Sequence, residues 1–82
     1  MDRITHVQAL PDWQLEVRFA DGTHGVVSIK ERLFGPVFEP LREPAFFAQV
    51  ALDEFGAVCW PNGADLAPDA LYETIRKKSQ VA

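Results

Sequence analysis

The densest group of chemically versatile residues is Trp60-Pro61-Asn62-Gly63-Ala64-Asp65, with Tyr72 a short way downstream. A Trp at a strand end, an Asn-Gly turn, an Asp before a helix and a phenol could line one pocket. Trp60, Asn62, Asp65 and Tyr72 therefore form the candidate binding surface. The same residues also have folding reasons. Trp60 can plug one end of the core, Asn62-Gly63 can turn the chain, and Asp65 can cap the following helix by accepting backbone N–H bonds. The structural reading is the simpler of the two. Asp65 and Asp69 could act as paired carboxylates, but both lie where a helix start already favours negative charge.

Few other residues offer chemistry. Cys59 is the single thiol. It falls in a strand beside Trp60 with no helix start ahead of it to lower its pKa, so a buried, inert cysteine is expected. His6 and His24 have no closely spaced second ligand, which makes a poor metal site, and surface histidines are expected. No phosphate-binding loop, nucleophile elbow or His-Glu-x-x-His motif occurs. No catalytic residue, metal or cofactor is assigned from the sequence, and no disulfide can close within the chain.

The net charge of −4 argues against a general nucleic-acid binder, which needs cations to displace phosphate counterions. Arg76, Lys77 and Lys78 form a local basic cluster, read first as the solvated end of a helix. No run of signal-peptide length opens the sequence and no stretch approaches a membrane span, so a cytoplasmic protein is expected. At 82 residues with 48% hydrophobic content, one small domain with a modest core is expected, much of it supplied by nine aromatics.

The elements that must position these residues read as a small α+β domain of antiparallel hairpins, short helices and a C-terminal helix. Trp13, Leu15, Val17 and Phe19 alternate with polar residues and predict a strand with one buried face. A two-residue Asp21-Gly22 turn would set Phe19 opposite His24. A three-residue loop with left-handed Gly22 sets Leu15 opposite Val27 and Val17 opposite Gly25, and is preferred because apolar meets apolar. Ile4 to Leu10 predicts a first strand through Pro11-Asp12, with two candidate inward sets, Val7 with Ala9 or Ile4 with Leu10. Ser28-x-x-Glu31 has capping-box spacing for a short helix to about Phe34. Pro44 opens another over Ala45 to Gln49. Val50–Asp53 and Ala57–Trp60 predict two strands about Glu54-Phe55-Gly56, Pro61–Asp65 a loop, and Pro68 to about Lys78 the longest helix.

Three segments carry a resemblance. They are Trp13-Gln-Leu-Glu-Val-Arg-Phe-Ala-Asp-Gly22, Glu39-Pro-Leu-Arg-Glu-Pro-Ala-Phe46, and Trp60-Pro-Asn-Gly-Ala-Asp65 with Asp69-Ala-Leu-Tyr72. Together they resemble the bacterial family called domain of unknown function 2442. Ser28 and Glu43 stand where that family commonly has Asp, and both read as capping positions. The resemblance implies a small α+β fold and no established activity. It also implies a setting beside another small protein, in arrangements like toxin–antitoxin pairs.

The leading expectation is thus a non-enzymatic interaction or regulatory module, antitoxin-like, that binds a small protein partner or a further copy of itself. One alternative is a ligand-binding or enzymatic domain using Trp60, Asn62, Asp65 and Tyr72. The other is a DNA-binding regulator working through the basic end of the last helix.

Overall fold

The computed structural model describes residues 3–80, with side chains through Lys77. The fold is α+β. Three long strands, β1 (Ile4–Leu10), β2 (Gln14–Phe19) and β3 (His24–Ser28), form one antiparallel meander. Three very short ones, β4 (Ala51–Leu52), β5 (Val58–Cys59) and β6 (Asp65–Leu66), form a second. Between the sheets run two 3-10 turns, Lys30–Arg32 and Glu39–Arg42, and the one-turn helix α1 (Pro44–Phe47). Helix α2 (Pro68–Gln80) closes the described chain. No helix among the described residues is long and apolar enough to cross a membrane.

The alternation of β2 has the expected consequence. Leu15, Val17 and Phe19 are buried while Glu16 and Arg18 are exposed. The register across the next hairpin is the one apolar matching selects, with Leu15 opposite Val27 and Val17 opposite Gly25. Trp13, however, does not extend the strand. It sits in the β1–β2 turn with φ 56°, next to Asp12 at φ 64°. A left-handed Trp costs about 1–2 kcal/mol, so tertiary contacts must hold it there.

Both candidate inward sets of β1 contribute to one face. Ile4 pairs with Phe19, yet His6 pairs with Arg18, so one extra residue is inserted at Thr5. This bulge resets the two-residue period. Ile4, Val7 and Ala9 then line up opposite Phe19, Val17 and Leu15. Ile4 is buried, and Val7 and Ala9 pack half-buried against the core.

Three hairpins share one turn design. The loops Ala20-Asp21-Gly22, Glu54-Phe55-Gly56 and Pro61-Asn62-Gly63 each have three residues and end on a left-handed glycine, at φ 91°, 79° and 93°. In each, the glycine N–H returns to the carbonyl of the last residue before the loop. That residue's own N–H then bonds the carbonyl after the glycine, at 2.8–2.9 Å. Glycine takes this conformation without a Cβ clash.

Helix α2 lies on β3 through Leu71 and Ile75, which are four residues apart and buried. The contact depends on Gly25. A Cβ placed there would stand 3.0 Å from Ile75 Cγ2. A single core of aliphatic and aromatic side chains joins both sheets, from Ile4, Leu15 and Phe19 to Val58, Trp60 and Leu66.

Two expected caps do not form. Ser28 is still in the β-ladder opposite Gln14, and the following 3-10 turn starts from Ile29 without a side-chain cap. Its three residues, Lys30–Arg32, fall short of a helix to Phe34. Glu43 precedes α1 but gives its first turn no side-chain hydrogen bond. The Pro44 start is as expected. Of the two neighbouring phenylalanines only Phe47 is fully buried, because adjacent helical positions diverge.

Candidate functional site

The four candidate residues have separate surroundings. Trp60 is buried to 3% exposure, stacks on Phe47 at 5.9 Å, and donates its indole N–H to the Phe47 carbonyl at 3.0 Å. It is a core plug that ties β5 to α1. Asp65 is not the helix cap expected of it. It lies in β6 opposite Cys59, exposed and two residues short of Ala67, whose carbonyl receives the first helical N–H. The two-residue strand β6, absent from the sequence reading, draws Asp65 into the ladder. Tyr72 leans edge-on against Phe19 at 4.9 Å and donates its hydroxyl to Asp21 at 2.6 Å, latching α2 to the β2–β3 hairpin tip.

Asn62 does two things. Its Oδ1 accepts the Ala64 N–H within the turn, and its Nδ2 donates to the Val37 carbonyl at 2.8 Å. The second bond reaches a segment 25 residues away. The open cleft that Tyr72 lines is shared with Glu73, Arg76 and Lys77 and not with Trp60, Asn62 or Asp65. Cys59 is half-buried in β5, more accessible than expected. His6, Arg18 and His24 form a row across the outer face of the first sheet, and His6 lies 3.8 Å from Glu16. No group of three metal-ligating side chains gathers among the described residues. At the far end of α2, Arg76 lies over the Tyr72 ring at 5.8 Å and lines an open cleft with Glu73 and Lys77. The Lys78 side chain lies outside the described residues.

The Val37 bond of Asn62 belongs to a larger arrangement. The loop from Leu33 to Arg42 is held by three side-chain donors, each taking one of its carbonyls. Arg42 Nε bonds Leu33 at 2.6 Å, Asn62 bonds Val37, and Trp13 Nε1 bonds Leu41 at 2.9 Å. The donors come from the loop's own end, the β5–β6 turn and the β1–β2 turn. The strained Trp13 backbone thus aims an indole N–H at a distant carbonyl. Outside the 3-10 turn Glu39–Arg42 this loop has few regular backbone bonds, and the clamps help fix its shape.

The clamped loop displays two large apolar side chains. Phe34 is 68% exposed and Val37 45%. Beside them, Trp13, Lys30, Leu33 and Arg42 line a cleft of about 280 Å³. A second cleft of about 220 Å³ opens on the other side of Trp13, over Pro11, Pro44 and Phe47. Lys30 sits over the indole at 5.8 Å and bonds Asp12 at 3.3 Å. Sequence reading missed this surface. Its signal was Phe34-Gly35-Pro36, an aromatic against two breakers in a segment too irregular to bury it.

No curated protein and no solved structure matches the chain significantly. One family model does, over residues 4–77, which take in every element from β1 into α2. The segments that carried the resemblance all fall inside that span, so the chain belongs to the family described as Protein of unknown function (DUF2442).

Proposed function

We propose that the chain is a non-enzymatic protein-interaction module, antitoxin-like in that it engages a small protein partner. One observation supports this most directly. The Leu33–Arg42 loop is fastened by three side-chain clamps and yet holds Phe34 and Val37 out in solvent. Isolated exposed hydrophobics are ordinary, but two within four residues on a fixed loop beside an apolar cleft form a patch suited to docking. Preorganisation lowers the ordering cost of binding, so a small patch can suffice. The ligand-site alternative loses support because Trp60 is spent on core packing and Tyr72 on a latch to Asp21. The regulatory role and the cytoplasmic setting belong to the same proposal.

The test is affinity capture of the tagged full chain from its own cells, with wild type and a Phe34→Ser/Val37→Ser variant side by side. Both side chains are exposed, so the variant keeps the wild-type melting temperature. The expected result is a stoichiometric protein partner retained by wild type and lost by the variant. Nucleic acid in place of protein, or a partner held equally by both, refutes the proposal.

A further inference from the structure

Phe55 is the most exposed large hydrophobic side chain among the described residues, at 78%. Its position in the shared turn design shows why this is unusual. In the other two hairpins the corresponding residues are Asp21 and Asn62, whose side chains fold back to accept the N–H after the glycine. In the β4–β5 hairpin Asp53 performs that role from below, accepting the N–H groups of Phe55 and Ala57 at 2.8 and 3.0 Å. The turn is complete without Phe55, which is not a member of the core cluster. Glu54 precedes it, exposed and without an ion pair among the described residues.

The Trp13 cleft has the complementary character. Its lining combines the apolar surfaces of Trp13 and Leu33 with the cations of Lys30 and Arg42. Arg42 commits Nε to the Leu33 carbonyl and has no carboxylate partner among the described residues. Its terminal nitrogens remain available for a carboxylate. At about 280 Å³ the cleft falls below the usual range of small-molecule sites and suits a single large side chain.

The knob cannot reach the cleft of its own chain. Gly56 packs against Arg3 and Ile4 at the start of β1, whereas Trp13 lies just past its end. Seven strand residues separate the two sites by ~20 Å. We propose that the occupant is a second copy of this chain, which inserts Phe55 between Trp13 and Leu33 and sets Glu54 against Arg42. Knob and cleft at opposite ends of one strand allow the contact to be made twice in a two-fold dimer, or once per copy in an open chain. The contact uses the cleft beside Phe34 and Val37 and not those two side chains, and it needs no partner to be detected.

Sedimentation equilibrium of the purified full chain over a broad concentration range tests this. Wild type is expected to associate reversibly. Phe55→Ser and Glu54→Arg, both at exposed positions that leave the melting temperature unchanged, are each expected to weaken association, Phe55→Ser by about tenfold or more. A wild type that stays monomeric, or association that either single variant leaves intact, overturns the proposal. Because no partner is present, these outcomes are independent of the capture experiment.

Discussion

Replacing Gly25 with Ala tests how α2 is seated. The new Cβ would lie 3.0 Å from Ile75 Cγ2 and 3.3 Å from Cγ1. Ile75 cannot simply swing away. It is 3% exposed, and a β-branched side chain in a helix has one strongly preferred rotamer. Overpacking of this kind costs about 1–3 kcal/mol. Removing a glycine from a strand returns about 0.5–1 kcal/mol through reduced unfolded-state freedom. The net expectation is a loss of roughly 1–2 kcal/mol, or a melting temperature about 5–15 °C lower for a chain of this length. Urea and thermal unfolding of Gly25→Ala, Ile75→Ala and the double variant complete a cycle. Ile75→Ala alone should cost about 2–5 kcal/mol. In the Gly25→Ala background it also removes the crowding atoms, so the combined loss should fall short of the sum by at least ~0.5 kcal/mol. An unchanged or raised melting temperature for Gly25→Ala, or strict additivity, would refute the close-approach account of the helix–sheet contact.

Three further variants probe the turns and the candidate residues. Gly22→Val should destabilise by about 1 kcal/mol or more, all of it from the backbone, since φ is 91° and no atom lies within 4 Å of the added Cβ. Denaturant unfolding reads this directly, and a neutral result would count against the three-residue loop. Asp65→Ala should change stability by less than ~0.5 kcal/mol, because its side chain caps nothing, whereas Trp60→Ala should cost ~3–5 kcal/mol through the lost ring. A loss above ~1 kcal/mol for Asp65→Ala would restore the helix-cap role the structure denies it.

Features that depend on neighbours along the chain were legible before folding. Alternation in β2 fixed its buried face, and matching Leu15 to Val27 selected the hairpin register, because a one-residue slip would turn every side chain over. Glycine marked the left-handed turn positions, and Pro44 and Pro68 marked helix starts, because these residue types restrict or free φ wherever they stand. Trp60 as a core plug was legible for a similar reason: a large apolar ring at the end of a strand is most stable when buried.

Features that depend on contacts between distant segments arise only on folding. Parity could not choose a face for β1, because a bulge at Thr5 lets Ile4 and Val7 share one, and a bulge is set by the partner strand. Trp13 left its strand pattern because its indole N–H is drawn to Leu41, 28 residues on. Asp65 lost its cap because the short strand β5 offered it a ladder position that local propensity does not record. The candidate surface is the clearest case. Leu33, Val37 and Leu41 present ordinary carbonyls in a loop, and only folding brings Arg42, Asn62 and Trp13 to hold them, so the exposure of Phe34 and Val37 is a property of that assembled clamp and of no local sequence pattern.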